Sequence, residues 1–398
     1  MNQVIKKRIE DINNGIVPEG YKQTPFGIFP CDWETTSIGE VSINKGEYGL
    51  NAPACEYESG LPKYIRITDI DDNGNYVDTG ACVDFQDVTK QYTLKEGDVV
   101  FARTGATVGR NYLYKEKDGE LLYAGFLIKF SINKNVANPY IIYANSNTKQ
   151  YWNWIKKISA RSGQPGVNAE EYSQYRFVNA KDKVEQGKIA EILMKWDEMV
   201  ELQEQYIQKL ELKQLAVLKK VMKNLCGENK KIKDCVTYHP SSLLIKHLKE
   251  VEDGFPVYGA NEVALYIDKY NFDCDTVAII KYGSGAGRVC YLTGKHSVLG
   301  TMAEMLPKEG VNIKFIYYVL KVFDFKKYIE ISTTPNVYFE DYSEEKIVVP
   351  NLEAQNRIVE SLDAFDDYIS LQKEKLEKIK IQRKAMQQYL LTGIVRVS

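Results

Sequence analysis

The chain has 398 residues, 44% of them apolar and 27% charged, with a formal net charge of −2, a composition typical of a folded globular protein with two or three domains. The slight negative charge argues against a free-standing nucleic-acid-binding protein, although it leaves room for binding through local cationic loops. No apolar run of about 18 residues and no signal-peptide core is present, so we expect a cytoplasmic protein.

The cysteines and histidines do not point to a disulfide framework or a metal site. The seven cysteines are scattered without a C-x-x-C pair, and His239 and His247 have no cysteine cluster near them. Reduced structural thiols are therefore expected.

The predicted elements alternate between mixed modules and long helices. Residues 1–30 form an N-terminal extension, and residues 31–180 form a module with strands in KYIRITDI, GDVVFART and ELLYAGFLIKF and an aromatic-rich helix in PYIIYANSNTKQYWNWIKK. A first long helix spans 181–226. A second module, 227–350, has strands in PVYGANEV, DTVAIIKY, GRVCYL and HSVLGTMAEML, then a helix in IKFIYYVLKVFDFKKYI, and a second long helix with a C-terminal tail spans 351–398. The predicted class is α+β, since strands and helices are too segregated for a parallel doubly wound sheet.

The chain is an internal repeat. Residues 184–222 align with 352–391, so that Leu193 corresponds to Leu362, 169 positions later, and QPGVN aligns with TPNVY 170 positions later. Two glycine-rich stretches, GDVVFARTGATVGR and CDTVAIIKYGSGAGR, align at an offset of 178. Each repeat is therefore a globular module followed by a long helix.

Both long helices carry apolar residues at alternating steps of 4 and 3, which predicts an antiparallel two-helix coiled coil about a pseudo-twofold axis. The same geometry makes Gln203 and Gln372 a buried polar pair that fixes register and brings Arg383 opposite Trp196 for a cation–π contact. The predicted seam comprises Leu193, Trp196, Val200, Gln203, Ile207, Leu362, Phe365, Ile369, Gln372, Leu376 and Arg383.

Three short motifs are weak candidates for chemistry. DIDDNG starts like a calcium loop, but glycine occupies its twelfth position, so an Asx-rich turn is expected. NPY at 138–140 lacks the second proline of an adenine methyltransferase motif, and Pro139 suits the first turn of a helix. GSGAG lacks the spacing of a dinucleotide fingerprint, and neither glycine-rich stretch ends in G-K-[ST].

Cations and hydroxyls on tight glycine turns suit phosphate oxygens or guanine edges. A solvated loop with structural arginines is the alternative for each stretch, and the repetition in both modules favours binding. The candidate DNA-binding residues are Arg103, Thr104, Thr107, Arg110, Arg161, Gln164, Asn168, Tyr258, Asn261, Lys281, Tyr282, Ser284, Arg288, Thr333, Thr334, Asn336 and Tyr338.

Together, YIRITDID, GDVVFARTGATVG, YGANE, the two P-x-V loops, the E-x-Q-x-x-I type helix openings and LLTGIVRV resemble the specificity subunit of type I restriction–modification systems, over about residues 20 to 397. The resemblance implies two target-recognition domains that each read half of a split double-stranded DNA sequence, and paired helices that act as a ruler and dock two modification (methyltransferase) subunits. Restriction subunits join that core. One departure is Gly187 in the first helical turn where the second helix has Asn356, so the helix starts are expected to differ by a turn.

The expected function is thus a DNA-reading subunit without catalysis or cofactor of its own. The resemblance implies that S-adenosylmethionine, ATP and Mg are bound by partner subunits. Two alternatives stay open: an adenine methyltransferase or nuclease with coiled-coil arms, and a protein-only scaffold or decoy for methyltransferase subunits.

Overall fold

The computed structural model describes residues 3–58, 60–84, 89–160, 166–260, 262–329 and 334–397. The chain divides into two compact units. Unit 1 comprises Met1–Glu201 and Glu377–Ser398, and unit 2 comprises Leu202–Leu376. In the part of the chain that the structure describes, none of the helices is long and apolar enough to cross a membrane.

Unit 1 contains two four-stranded sheets and two strand pairs. Its strands are β1 (Tyr21–Thr24), β2 (Gly27–Pro30), β3 (Trp33–Ser37), β4 (Glu47–Tyr48), β5 (Cys55–Glu56), β6 (Lys63–Ile65), β7 (Ala81–Cys82), β8 (Asp98–Ala102), β9 (Asn111–Leu113), β10 (Leu121–Tyr123), β11 (Leu127–Ser131) and β12 (Arg176–Ala180). The first sheet is antiparallel with the order β4-β11-β8-β9, and the second has the order β10-β6-β7-β5 with β10 and β6 parallel. Every residue of β8 is buried, which explains its uninterrupted apolar run.

Among the helices of unit 1, α4 (Pro139–Asn145) packs on β8 and β9 of the antiparallel sheet. The helices of this unit are α1 (Gln3–Asn13), α2 (Ile38–Val41), α3 (Thr89–Tyr92), α4, α5 (Lys149–Ser159), α6 (Ala169–Ser173) and the first part of α7 (Lys183–Lys223). The core is aromatic: the rings of Phe101 on β8 and Tyr172 on α6 lie 4.9 Å apart, and Phe130 and Tyr151 pack against Phe101. The core thus anchors the end of β8.

Two predicted elements of this module are wrong in their extent. ELLYAGFLIKF forms two strands in different sheets, β10 and β11, because the chain turns between them, where Leu127 N donates to Ala124 O over 2.8 Å. The single aromatic-rich helix is broken into α4 and α5. Thr148 accepts a hydrogen bond from Tyr151 N over 3.3 Å, and such a side-chain cap starts a new helix instead of continuing the old one.

Unit 2 repeats this sheet order. Its strands are β13 (Glu228–Lys231), β14 (Val236–Pro240), β15 (Phe255–Tyr258), β16 (Val263–Ile267), β17 (Phe272–Asp273), β18 (Thr276–Ile280), β19 (Val289–Leu292), β20 (Lys295–Val298), β21 (Met302–Pro307) and β22 (Lys346–Val349). The sheet β14-β21-β18-β19 has the topology of β4-β11-β8-β9, and the sheet β16-β15-β20-β17 again contains one parallel pair, β15 with β20. The helices are the rest of α7, α8 (Ile232–Cys235), α9 (Ile313–Lys321), α10 (Phe339–Tyr342) and most of α11 (Leu352–Leu391).

The equivalent sheets differ in their buried charges. In unit 1, Lys129 on β11 is buried and its Nζ lies 2.9 Å from Glu47 Oε2. In unit 2, β21 carries Glu304 at the corresponding place, and its Oε1 lies 2.7 Å from Nε2 of the buried His296. Thr276 Oγ1 completes this network at 3.0 Å from both partners. Burial penalises charge, so each sheet neutralises its own charge with a partner from its own module.

The two long helices begin at equivalent positions, α7 at Lys183 and α11 at Leu352, 169 residues apart. The expected difference of one turn at their starts is therefore wrong. A Cβ on Gly187 would meet nothing within 4 Å, so no neighbouring atom requires a glycine at this position of α7.

A buried glutamine near the start of each long helix binds the same unit's module. Gln186 Oε1 accepts from Asn138 N, the N-cap of α4, over 2.8 Å, and Gln355 Oε1 accepts from Asn312 N, the N-cap of α9, over the same distance. This contact gives a physical reason for the glutamine in both E-x-Q-x-x-I type openings, because an unpaired amide N–H at a buried helix start is costly.

Within each unit, α7 and α11 lie side by side. In unit 2, Gln203 Nε2 donates to Gln372 Oε1 over 3.0 Å, and both side chains are 9% exposed. In unit 1, Arg383 Nε donates to Asp197 Oδ1 over 2.7 Å, so the cation expected opposite Trp196 pairs with the next residue along α7. The remaining seam residues are buried or half-buried: Leu193, Val200, Ile207, Leu362, Phe365, Ile369 and Leu376.

Candidate nucleic-acid interface

The glycine-rich stretch of unit 1 is a tight loop at the end of β8. We call residues 103–110 the first glycine loop. Gly109 N donates to Ala102 O over 3.0 Å, and Ala102 N donates to Arg110 O over 2.8 Å. The loop therefore leaves β8 and returns directly into β9.

The second glycine loop, residues 281–288, has the same hydrogen bonds. Gly287 N donates to Ile280 O over 2.9 Å, and Ile280 N donates to Arg288 O over 3.0 Å. These residues lie 178 positions after their counterparts in unit 1, so the sequence repeat is also a repeat of backbone geometry.

The last glycine of each loop is required by packing. Gly109 has φ of +91° and Gly287 has φ of +83°, a region that residues with a side chain rarely adopt. A Cβ on Gly109 would lie 2.9 Å from Ile155 Cγ2, and one on Gly287 would lie 2.7 Å from Phe325 Cβ. Each loop is thus held against a buried residue of its own unit.

A second segment pairs with each glycine loop. The P-x-V loops contribute residues 166–168 in unit 1 and 334–338 in unit 2, which we call the valine segments. Val167 N donates to Arg103 O over 2.8 Å, and Val337 N donates to Lys281 O over 3.0 Å. Single β-bridges connect Thr104 with Gly166 and Tyr282 with Asn336. The structure therefore brings together, in each unit, the two loops that the sequence singled out separately.

The first residue of each glycine loop is a cation over a tyrosine ring. Arg103 Cζ lies 5.0 Å from the ring centroid of Tyr48, and Lys281 Nζ lies 5.3 Å from that of Tyr282. Burial lowers the pKa of Lys281. Tyr48 and Tyr282 are exposed at 45% and 38%, so each cation–tyrosine pair lies at the surface and offers a positive charge and a tyrosine hydroxyl. Sequence reasoning missed Tyr48, since only the pairing of β4 with β11 brings it to the loop.

The last residue of each loop is an arginine with a partner inside its own unit. Arg110 Nη1 donates to Ile70 O over 2.8 Å, and Arg110 also pairs with Asp72. Arg288 Nη2 donates to Ala260 O. Both arginines thus tie the glycine loop to the backbone of a neighbouring turn, which favours a structural role for them over a contact with DNA.

The other candidate residues have varied surroundings. Asn168 caps α6, since its Oδ1 accepts from Glu171 N over 2.9 Å. Thr107 Oγ1 is buried and has no hydrogen-bond partner among the described residues. Tyr258 is half-buried at the end of β15, while Ser284, Thr334 and Tyr338 are exposed. Arg161, Gln164, Asn261 and Thr333 lie outside the described residues.

The weak motifs form ordinary turns and caps. Asp71 Oδ1 accepts from Asn73 N over 2.9 Å and from Asn75 N over 2.7 Å, which makes DIDDNG an Asx turn. Asn138 in NPY caps α4. Within the described ranges, no group of three or more histidine, cysteine, aspartate or glutamate side chains is arranged to hold a metal ion.

The duplicated sequence matches a known family of proteins. The profile of the type I restriction modification DNA specificity domain matches residues 30–212 and 227–381. The chain is 26% identical to a putative type I restriction enzyme MjaX specificity subunit of Methanocaldococcus jannaschii, over 95% of this chain and 97% of that protein. It is 22% identical to the type I restriction enzyme MjaVIII specificity subunit of the same organism, over 96% and 98%.

Two solved structures share the fold. A chain from a study of complex assembly and conformational transition of the type I R-M system superimposes with a TM-score of 0.57 at 15% identity, covering 92% of this chain and 99% of that one. The type I restriction-modification S subunit from M. genitalium gives a TM-score of 0.54 at 15% identity, covering 90% and 96%. The profile matches both modules and most of both long helices, and the chain therefore belongs to the type I restriction–modification specificity subunit family.

Proposed function

We propose that this chain is the DNA sequence-recognition subunit of a type I restriction–modification complex and that it reads a bipartite, asymmetric duplex target. The observation that carries the proposal is the pairing of a glycine loop with a valine segment in each unit, through equivalent hydrogen bonds to Arg103 O and Lys281 O. Backbone scaffolds that recur while their side chains vary are suited to reading different sequences.

The side chains on the two scaffolds support an asymmetric target. Arg103 and Thr104 open the first glycine loop, and Lys281 and Tyr282 open the second. Arginine forms bidentate hydrogen bonds to guanine, whereas lysine is a point charge and tyrosine stacks or donates a single hydrogen bond. Two loops with such different donors select different bases, so the two half-sites differ.

The long helices are proposed to act as an antiparallel coiled coil that sets the distance between the half-sites. A helix of 41 residues is about 60 Å long at about 1.5 Å per residue. Two readers on one face of a duplex need centres about 34 Å apart. The Gln203–Gln372 pair supports this role, because a buried polar pair fixes the register of paired helices.

Catalysis and cofactors are assigned to other chains. Two modification subunits would supply methyl transfer with S-adenosylmethionine, and restriction subunits would supply the ATP- and Mg-dependent reaction. For this chain we propose binding and positioning only, because the two repeated loops present cations and hydroxyls that suit contacts to phosphates and base edges.

Co-expression of this chain with its modification subunits in a host free of DNA methylation, followed by sequencing of the methylated bases, tests the proposal. We expect one motif with two different half-sites and a fixed unspecific spacer. Methyl transfer to DNA by this chain alone would instead identify it as an enzyme. A methylated motif with a single half-site, or a complex that leaves duplex DNA unprotected in footprinting, would support the scaffold alternative.

A further inference from the structure

Each unit carries a pair of adjacent lysines at the same place relative to its valine segment. Lys156 and Lys157 form the last turn of α5, and Lys326 and Lys327 lie in the 3₁₀ turn Phe325–Tyr328. The first lysine of each pair precedes the valine of its segment by 11 positions, Val167 or Val337. We call these two pairs the dilysines.

The dilysines are fixed beside the glycine loops by the residue that precedes them. Ile155 and Phe325 are buried, and they are the residues that a Cβ on Gly109 or Gly287 would meet. The glycine of this contact belongs to the loop, and the buried residue directly precedes the two lysines in the chain. The contact therefore holds each dilysine close to its glycine loop.

All four lysines are exposed. Within the described ranges, none of their side-chain ammonium groups has a hydrogen bond or an ion pair to another residue. The lysines of α9 in the same unit differ: Lys314 Nζ lies 2.8 Å from Asp363 Oδ2, and Lys321 Nζ lies 3.7 Å from Asp366 Oδ1. The dilysines are therefore charges that the fold positions but does not neutralise.

A simpler explanation is that lysines are common in the last turn of a helix, where they interact with the helix dipole. It fits Lys156 and Lys157 on α5, an 11-residue helix. It does not fit Lys326 and Lys327, because a four-residue 3₁₀ turn has little dipole. The position that recurs is the one beside the glycine loop, while the local secondary structure has changed.

We propose that each dilysine binds the phosphodiester backbone of duplex DNA next to the bases read by its glycine loop. This inference rests on the proposed function and adds to it the residues that supply sequence-independent affinity. Lysine ammonium groups suit this role, since contacts to phosphates position a protein on DNA without reading its sequence.

The test measures the affinity of the full-length chain, alone and with its modification subunits, for a 30-base-pair duplex of random sequence over a range of salt concentrations. The variants are K156Q/K157Q and K326Q/K327Q. The matched controls are K6Q/K7Q on α1 and K219Q/K220Q on α7. Each control replaces two adjacent exposed lysines of a helix and so removes the same charge as a dilysine variant. Thermal unfolding is measured for each variant.

The affinity falls as salt rises, and each duplex phosphate contact contributes about 0.9 to the steepness of log affinity against log salt. We therefore expect the slope of each dilysine variant to be less steep by about 1.8. At low salt this corresponds to a loss of affinity on the order of tenfold per lysine. The controls should keep the slope of the wild-type chain. Unfolding temperatures should be unchanged, whereas a helix-dipole role would lower the unfolding temperature and leave the slope intact.

The two proposals fail in different ways. A wild-type complex that methylates a bipartite motif, together with dilysine variants that keep its salt slope, overturns the dilysine site alone. A wild-type complex that binds no duplex at any salt concentration overturns the proposed function and this site with it. An equal loss of DNA affinity in the dilysine variants and in the controls would show that net charge causes the effect. That result would also overturn the dilysine site.

Discussion

Replacing Gly287 by alanine should destabilise unit 2 more than the same change at Gly283 in the same loop. Both glycines have positive φ, +83° and +94°, so both substitutions incur the backbone cost of a left-handed residue, about 1–2 kcal/mol. A Cβ at Gly283 would meet nothing within 4 Å. One at Gly287 would lie 2.7 Å from Phe325 Cβ and 3.1 Å from its Cγ.

The contact at Gly287 cannot be relieved by a side-chain rotation. Cβ moves only with the backbone, so Phe325 must shift together with the 3₁₀ turn that bears Lys326 and Lys327. Overpacking of this kind costs about 1–3 kcal/mol. We therefore expect a total cost of about 2–5 kcal/mol for Gly287→Ala and about 1–2 kcal/mol for Gly283→Ala.

Hydrogen exchange of the β18 amides, followed by mass spectrometry, measures this difference. Tryptophan fluorescence is unsuitable, because all 4 tryptophans, Trp33, Trp152, Trp154 and Trp196, belong to unit 1. A difference of 1.4 kcal/mol corresponds to about a tenfold change in the opening equilibrium. Equal protection of the two variants would refute the argument, since the backbone cost would then be the whole effect.

Unit 1 provides a graded comparison. A Cβ at Gly109 would lie 2.9 Å from Ile155 Cγ2 and Trp152 Cζ3 and 3.0 Å from Ile155 Cγ1, all of which lie beyond the Cβ of their side chains and can move by rotation without a shift of the backbone. Gly109→Ala should therefore cost less than Gly287→Ala, while Gly105→Ala should incur only the backbone cost, since nothing lies within 4 Å of its Cβ. A larger loss at Gly109 than at Gly287 would contradict this ranking.

Two further predictions concern buried polar groups. Q372L should cost about 1–3 kcal/mol, because it removes the acceptor Gln372 Oε1 and leaves Gln203 Nε2 only its longer bond of 3.3 Å to the backbone carbonyl of residue 372. The double variant Q203L/Q372L should be close to neutral in urea unfolding and should let the methylated motif vary in spacer length; a double variant as unstable as the sum of its single variants would contradict the pairing. Burial lowers the pKa of His296, but the hydrogen bond and charge of Glu304 outweigh it and raise that pKa above its ordinary value. The stabilisation is therefore complete below the unfolded pKa of about 6.5 and lost as pH rises through the higher folded value, so the unfolding temperature of unit 2 should fall over that range. Glu304→Gln should remove this pH dependence and the exposed His239→Gln should keep it; an unchanged profile in Glu304→Gln would show that the His296 pair does not titrate.

The candidate site shows which inferences a repeated sequence supports. The register of the two glycine loops, the valine segments and the helix seam is local to each stretch of chain, so it could be inferred from spacing. The hydrogen-bond partners of the arginines that end the two glycine loops could not be inferred in this way. In the sequence, Arg110 and Arg288 cannot be told apart from the other candidate DNA-binding residues. In the structure, each donates a hydrogen bond to the carbonyl of a residue far away in the chain, Ile70 or Ala260.

The sequence by itself determined the duplicated plan, the α+β class, the positions of the two loops and the two long helices, because apolar periodicity and glycine placement follow from backbone geometry. Only the tertiary structure decided that α4 and α5 are separate helices, that Tyr48 lies under Arg103, and that equivalent sheets bury a lysine in one unit and a glutamate in the other. These features depend on which distant residues the folded chain brings within contact distance. A side chain's role follows from that neighbourhood, which its position in a repeat does not encode.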